Sequence, residues 1–248
     1  MGPAALKYID AAMLPSVSVV IPAYNEEEYV ERTLTAVTSA LERAGIEHEI
    51  VLVNDASTDR TAALADAAAA ADPRVRVIHN PQNLTLGGSL RAGFAAARKE
   101  LVLYTDADLP FDLEEVPRAV RLLQVQEADM LVAYRFDRTA EGTRRALYTW
   151  GYSVIIRALF GLKIRDVNFA FKLFRRSLLD RFVLKSGGSF IDAELVVRTL
   201  KAGGQIIQIG VDYFPRTRGE SKLASGKVIV RILSELTSLR RELRSARP

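Results

Sequence analysis

From residue 16 onward the chain alternates short apolar runs with longer amphipathic segments. The runs Val17–Ile21, Ile50–Val53, Val75–Ile78, Leu101–Tyr104 and Met130–Ala133 are rich in Val, Ile and Leu, as buried parallel strands are. Between them, Glu27–Arg43, Thr58–Ala71, Gly88–Arg98 and Leu113–Gln124 read as helices, with Ser57 or Thr58 placed to cap the second. The alanines at 67–71 favour helix and carry no further message. Strand and helix in strict alternation predict an α/β domain, a mainly parallel sheet flanked by helices.

Beyond Arg135 the pattern becomes mixed. Thr143–Phe160 reads as a long amphipathic helix, Asn168–Phe174 as an aromatic-rich strand, Phe190–Lys201 as a helix, Gln205–Tyr213 as a strand and Lys227–Leu243 as a closing helix. There is no Pro/Gly/Ser-rich linker and no internal repeat, so one domain is expected. Its expected parts are an extension over 1–15, a catalytic domain over 16–225 divided near 135 into two halves, and a C-terminal amphipathic helix over 226–248.

Composition narrows the chemistry. With 49% hydrophobic and 26% charged residues in 248, the chain is globular rather than disordered. It has no cysteine, which removes disulfides and thiolate zinc sites and leaves any metal to oxygen ligands. The two histidines, His48 and His79, lie far apart without a partner at ligand spacing and are expected as surface or strand-edge residues. No apolar run reaches the roughly 18–20 residues of a membrane span, and the first residues lack the pattern of a secretory leader, so neither spanning nor secretion is expected. A net charge of +4 and a pI near 9.4 suit phosphates, an anionic membrane or nucleic acid, and charge alone does not choose.

In open α/β sheets ligands bind beyond the carboxyl ends of the strands. Those positions are acidic: Pro22-Ala23-Tyr24-Asn25-Glu26 follows the first strand, Asn54-Asp55-Ala56-Ser57-Thr58-Asp59 the second, and Thr105-Asp106-Ala107-Asp108 the fourth. An Asp-x-Asp at a strand end offers two hard oxygens to Mg²⁺ or Mn²⁺, which keep further sites for substrate phosphates. Such a metal offsets the charge of a diphosphate and stabilises it as a leaving group. A lone Asp-x-Asp would more simply cap a turn. Two further acidic loops on the same rim favour the metal site.

The stretches VSVVIPAYNEEEYV, VLVNDASTDRT and LYTDADLP together resemble the family 2 glycosyltransferases. The later RDVNFAFKLFRR and FPRTRGESK resemble the branch that makes polyprenyl-phosphate sugars, such as dolichyl-phosphate mannose synthase and its glucose-transferring relatives; the likeness covers roughly 17–222. It implies a GT-A fold in which Pro22, Tyr24 and Glu26 frame the nucleoside, Asp55 bonds the base and Asp106 reaches the ribose or the metal. Asp108 is then the principal metal ligand, and Arg135 meets phosphate. The alternatives are that Pro22 and Tyr24 shape a turn and that Arg135 is a solvated strand-end charge. Two departures stand out. Many synthases of the branch carry glutamine two positions after the second aspartate to assist the metal, where this chain has Pro110. The glycines of Asn83-Leu84-Thr85-Leu86-Gly87-Gly88 are retained among bulky leucines.

For the acceptor, the resemblance points to Arg216, Arg218, Ser221 and Lys222, cations and a hydroxyl suited to a phosphate, with a basic surface loop as the alternative. Arg145 matches a further basic position, on a helix mixing arginines with Trp and Tyr as interfacial helices do; a core helix with snorkelling arginines is the competing account. A phosphate acceptor is ionised near neutrality and needs no strong general base. Asp192 and Glu194 fall where relatives carry an acidic residue before a helix, to orient the acceptor or its loop, or simply to complement a helix dipole.

The implied activity is inverting transfer of a hexose from a GDP-mannose- or UDP-glucose-type donor to a polyprenyl phosphate. The implied place is the cytoplasmic face of a membrane, held peripherally, by a membrane-protein partner or as a homodimer. The alternatives are a soluble family 2 enzyme acting on a small phosphorylated or hydroxyl acceptor, and a non-catalytic nucleotide-binding module. Nucleic acid is not an expected partner, because no aromatic stacking platforms interleave with the basic loop.

Overall fold

The computed structural model of the chain describes residues 14–136, 154, 156 and 159–214. In chain order these form β1 (Val17–Ala23), α1 (Val30–Arg43), β2 (His48–Asn54), α2 (Thr61–Ala71), β3 (Val75–His79), α3 (Thr85–Ala96), β4 (Leu101–Thr105), α4 (Glu115–Val125), β5 (Met130–Arg135), β6 (Phe171–Arg175), a 3₁₀ turn (Arg176–Asp180), α5 (Ile191–Lys201) and β7 (Ile206–Val211). The expected helices Thr143–Phe160 and Lys227–Leu243 lie outside the described residues, apart from helical positions at 154, 156, 159 and 160. So do nearly all of the expected extension over 1–15 and the whole of 226–248.

The seven strands form one sheet in the order β3-β2-β1-β4-β6-β5-β7. Pairings of β1 with β2 and β4, of β2 with β3, and of β5 with β7 are parallel, whereas β6 is antiparallel to both β4 and β5. The connection from β4 through α4 therefore skips one position in the sheet, and β6 returns later to fill it. Six strands consequently end on one rim, and β6 begins there.

Period-two alternation divides each central strand between two cores. Val17, Val19 and Ile21 of β1 and Ile50 and Leu52 of β2 pack with Leu34, Val37 and Leu41 of α1, Ala65 of α2 and Val116, Val120 and Leu123 of α4. On the opposite face Val20, Val51 and Val53 meet Leu90 and Phe94 of α3 and Leu195 and Val196 of α5. Gly93 brings α3 close to the sheet, since a Cβ there would lie 2.4 Å from Val20 Cγ1. Helix α1 has Val30, Leu34, Val37 and Leu41 buried on one stripe and ends at Gly45 in the left-handed region, φ 67°, with Gly45 N donating to Glu42 O and Ile46 N to Leu41 O.

Several ends differ from the sequence reading. Helix α1 starts three residues later than expected, because residues 26–29 form a turn closed by Tyr29 N to Glu26 O. Helix α2 starts at Thr61 and is not capped by Ser57 or Thr58. Asp59 Oδ1 accepts from Thr61 N at 2.9 Å, while Ser57 Oγ accepts from Asn25 N at 3.0 Å. His48 opens β2 and is buried rather than on the surface, Nδ1 lying 3.0 Å from Ile46 O; His79 is exposed.

Candidate functional site

The loops leaving β1, β2, β3 and β4 are fixed to one another before any ligand arrives. The β1–α1 loop is stitched to the β2–α2 loop: Thr58 N donates to Asn25 Oδ1 at 2.8 Å, Glu26 N to Thr61 Oγ1 at 2.8 Å and Glu27 N to Asp59 Oδ2 at 3.2 Å. Hydrogen bonds from Thr61 and Glu27 outweigh the upward push of partial burial and hold the Asp59 carboxyl below its ordinary range. Four non-glycine residues at this rim have left-handed backbones: Asn25 (φ 53°), Ala56 (56°), Thr85 (59°) and Leu109 (46°), one after each of four successive strands. Residues held there against their steric preference cluster at binding sites.

Pro22, Tyr24 and Glu26 stand half-buried on the β1 side of this rim. Asp55, at the end of β2, is 4% exposed. Its Oδ1 accepts from Asn80 Nδ2 and from Leu84 N, each at 2.8 Å, and its carbonyl accepts from Asn83 Nδ2 at 3.3 Å. Asp55 thus organises the loop between β3 and α3, beyond the base contact expected of it.

Asp106 and Asp108 occupy the loop after β4, both half-buried. Thr33 of α1 clamps that loop by donating to Ala107 O at 2.5 Å, and Leu109 N closes it onto Asp106 O at 3.3 Å. Tyr104, wholly buried on β4, donates its hydroxyl to Asp106 Oδ1 at 3.4 Å. Burial pushes the Tyr104 phenol well above its ordinary range, and the negative charges of Asp106, Asp192 and Asp108 push it further, so it remains a donor. Two carboxylates two positions apart on a clamped loop fit a hard divalent cation. Among the described residues no group of three or more His, Cys, Asp or Glu gathers, so phosphate and water would complete the ligand set. Pro110 adds no side-chain ligand, and its carbonyl is engaged by Phe214 N at 3.0 Å.

Beneath the rim lies a layer of buried charge. Arg135 grips Asp166 with two bonds, Nε to Oδ2 at 2.7 Å and a terminal nitrogen to Oδ1 at 3.1 Å, its guanidinium 5.4 Å from the Phe169 ring centre and 5.3 Å from that of Tyr213. Both side chains are almost fully enclosed, so Arg135 is no solvated strand-end charge. Lys172, on the inserted strand β6 and 0% exposed, is ion-paired with Asp192, donates to Phe169 O at 2.9 Å and sits 5.4 Å from the Tyr104 ring centre. Burial raises the Asp192 carboxyl above its ordinary range, Lys172 opposes that shift, and Asp166 adds to it.

Asp192 and Glu194 are both buried and bonded within the protein. Asp192 is spent on Lys172. Glu194, 0% exposed, accepts from Lys185 N at 3.0 Å, Ser186 N at 2.7 Å and Arg198 Nε at 2.7 Å. It holds the 185–187 loop, while the basic loop expected to meet the acceptor lies outside the described residues. The glycine stretch is turned to the protein itself: Gly87 N and Gly88 N at the start of α3 donate to Gly187 O at 2.9 and 3.3 Å. Sequence reasoning missed Tyr104, Asp166, Lys172 and the 185–187 loop. The one available signal was a lysine inside the apolar run Phe171–Phe174. Arg145, Arg216, Arg218, Ser221 and Lys222 lie outside the described residues.

A mainly parallel sheet with one antiparallel insertion, ending on a rim of clamped carboxylate loops, defines a GT-A-type nucleotide-sugar transferase domain. The chain belongs to glycosyl transferase family 2, whose profile matches residues 18–183. It is 32% identical over 235 residues to the glycosyltransferase AglD of Haloferax volcanii, covering 89% of this chain and 37% of that protein. It is 30% identical over 224 residues to the undecaprenyl-phosphate mannosyltransferase of Micrococcus luteus, covering 86% and 89%. The dodecaprenyl-phosphate galacturonate synthase of Rhizobium johnstonii is 28% identical over 224 residues, covering 90% and 65%. The chain thus spans well under half the first of these relatives and nearly all of the second. Among solved structures, the glucosyl-3-phosphoglycerate synthase of Mycobacterium tuberculosis with UDP superposes with a TM-score of 0.69 at 22% identity, over 93% of this chain and 82% of that one. The same enzyme with Mn²⁺, UDP-glucose and phosphoglyceric acid gives 0.69 at 23%, over 92% and 82%. These likenesses establish the shared fold. Among the described residues no helix is long and apolar enough to cross a membrane.

Proposed function

We propose that this chain is an inverting glycosyltransferase that moves a hexose from a nucleotide-diphosphate sugar to a polyprenyl phosphate, working at the cytoplasmic face of a membrane. The observation that carries the proposal is the Asp106–Asp108 loop, clamped by Thr33 beside the buried Tyr104 on the same rim as the Asp55 loop. Near-full-length similarity to an undecaprenyl-phosphate mannosyltransferase supports the acceptor class. Manganese in the solved structures of a fold relative supports a divalent metal.

In this reading Pro22, Tyr24 and Glu26 bound the nucleoside and Asp55 engages the base. Asp106 and Asp108 would hold Mg²⁺ or Mn²⁺, which supplies Lewis-acid charge to the donor diphosphate. Arg135, fixed by Asp166 between two rings, directs positive charge toward the same phosphates. Arg216, Arg218, Ser221 and Lys222, with Arg145, grip the acceptor phosphate. Its ionised oxygen attacks the anomeric carbon from the face opposite the leaving group: the new carbon–oxygen bond forms, the bond to the diphosphate breaks, and the nucleoside diphosphate departs with the electron pair. No protein base is required, which accords with Asp192 and Glu194 being buried and committed elsewhere. Catalysis is positioning and charge stabilisation.

The test is nucleotide release from UDP-glucose and GDP-mannose with and without a polyprenyl phosphate, at several Mg²⁺ and Mn²⁺ concentrations. Release that rises with the lipid is expected, and Asp108→Asn should lower it on the order of 10²-fold with the fold intact, as when one preorganised electrostatic group is removed. Release indifferent to the lipid but stimulated by a small phosphorylated acceptor would overturn the acceptor assignment.

A further inference from the structure

Glu194 is an acidic side chain with no exposed surface, in the first turn of α5. Its carboxylate gathers three donors, the backbone N–H groups of Lys185 and Ser186 and the Arg198 guanidinium four residues along its own helix. So many charge-assisted bonds on one buried group fix the 185–187 backbone. That backbone in turn meets the start of α3. Gly187 O accepts from Gly87 N, from Gly88 N and from the Thr85 hydroxyl. The approach is close enough that a Cβ on Gly87 would stand 2.3 Å from Ser186 O, so only glycine fits there.

Thr85 is itself in the left-handed region at φ 59°, and its N–H donates to Asn83 Oδ1 at 3.1 Å. Leu84 N and Asn80 Nδ2 then reach Asp55 Oδ1, and Ser89 of α3 accepts from the same Asn80 amide at 3.2 Å. Every step from Glu194 to Asp55 is thus a hydrogen bond or a peptide link between neighbours in the chain. The carboxylate of Asp55 is oriented by a loop whose far end is braced from the other half of the sheet.

We infer that Glu194 is a positioning residue for the nucleotide end of the donor site, acting through the 185–187 loop and the start of α3 on Asp55. The inference rests on the proposed contact of Asp55 with the donor base. Glutamine at 194 has the right shape, but it turns an amide N–H₂ toward a set of donors, so at least one of the three loses its acceptor. Aspartate keeps the charge with a shorter reach.

The test is calorimetric titration of UDP and GDP, with Mn²⁺ present, into the wild-type chain and into Asp55→Ala, Glu194→Gln, Glu194→Asp and Thr85→Ala, alongside steady-state kinetics. Glu194→Gln should weaken nucleotide binding about 10- to 100-fold, the scale seen when an outer partner of a binding group is removed. Thr85→Ala should weaken it less, and Glu194→Asp should restore part of the loss. The donor KM should rise in parallel while the acceptor KM and the turnover at saturating donor stay within about twofold, a split that general loosening of the fold would not give. If Asp55→Ala weakens the nucleotide while Glu194→Gln binds as wild type, the inference falls and the donor reading stands. If Glu194→Gln does not fold, Thr85→Ala with unaltered binding overturns the inference in its place. If Asp55→Ala also binds as wild type, or no nucleotide binds at all, the donor reading itself falls.

Discussion

Replacing Lys172 by methionine removes an ammonium from a position where water cannot substitute for it. Lys172 is 0% exposed and Asp192 4%, so the variant leaves a buried carboxylate without its counter-ion. Removing one partner of a buried pair costs about 3–5 kcal/mol. Phe169 O also loses the donor it meets at 2.9 Å, a further loss of about 1 kcal/mol. Set against a total stability of about 5–15 kcal/mol, Lys172→Met should leave the chain near the edge of folding. Removing both charges tells a different story. The double variant Lys172→Met, Asp192→Leu should recover to within about 1–2 kcal/mol of wild type, because neither ion then pays desolvation. Urea titrations followed by far-UV circular dichroism give both values, provided the slope with denaturant is unchanged. The pH dependence adds a second signature. In Lys172→Met the folded pKa of Asp192 lies further above its unfolded value than it does beside Lys172, since burial and the Asp166 charge then act on it unopposed. A carboxyl raised in the folded state is neutral in both states at low pH and destabilises the fold as the unfolded chain ionises. The deficit should therefore shrink below about pH 4 and be largest at neutral pH. A Lys172→Met protein within about 1 kcal/mol of wild type at pH 7 would refute the reasoning, because the pair would then be hydrated rather than enclosed.

Gly93→Ala places a Cβ 2.4 Å from Val20 Cγ1 and 3.1 Å from Val53 Cγ2, and should cost about 1–3 kcal/mol by overpacking, read as a lowered Tm. Burial pushes the Glu49 carboxyl up, but hydrogen bonds from Ser18, from Arg98 N and from Arg76 outweigh it and hold the pKa below the ordinary 4.5. A carboxyl lowered in the folded state contributes stability that is present above its unfolded pKa and lost as pH falls through the folded one. Acid titration should therefore show Glu49→Gln less stable than wild type at pH 7 and flatter below pH 4.5. Arg135→Lys cannot reproduce the two-bond grip on Asp166 or the contact with Phe169 and Tyr213. It should cost about 1.5–3 kcal/mol of stability, the worth of a hydrogen bond to a buried charge, and a melting curve like that of wild type would count against the buried grip.

The parallel half of the fold was legible because its signal is local. Runs rich in Val, Ile and Leu give β1 to β5 within two residues at either end, and the acidic loops follow directly from the strand ends. The place of β6 was not legible. Nothing in Phe171–Arg175 states that it will slip between β4 and β5, because that position is set by antiparallel pairing with strands distant in the chain. Lys172 shows the same limit at the level of a side chain. A lysine at alternate spacing reads as solvent-facing, and only the tertiary meeting of β6 with α5 gives it Asp192. Glu194 was visible as an acidic residue in a first helical turn, where the dipole explains it without further need. Its actual partners, eight and nine residues earlier, depend on a loop folding back under the helix.

The left-handed residues Asn25, Ala56, Thr85 and Leu109 mean that the mouth of this domain is shaped by its own backbone before any substrate enters. Each such residue costs about 1–2 kcal/mol in local conformational energy, which the clamps from Thr33, Thr61 and Gly187 must keep offsetting. Glycine at Ala56 would relax the local conformation, yet it would also let the loop wander, so a sturdier chain and a sharper active site would be selected by different residues at the same position.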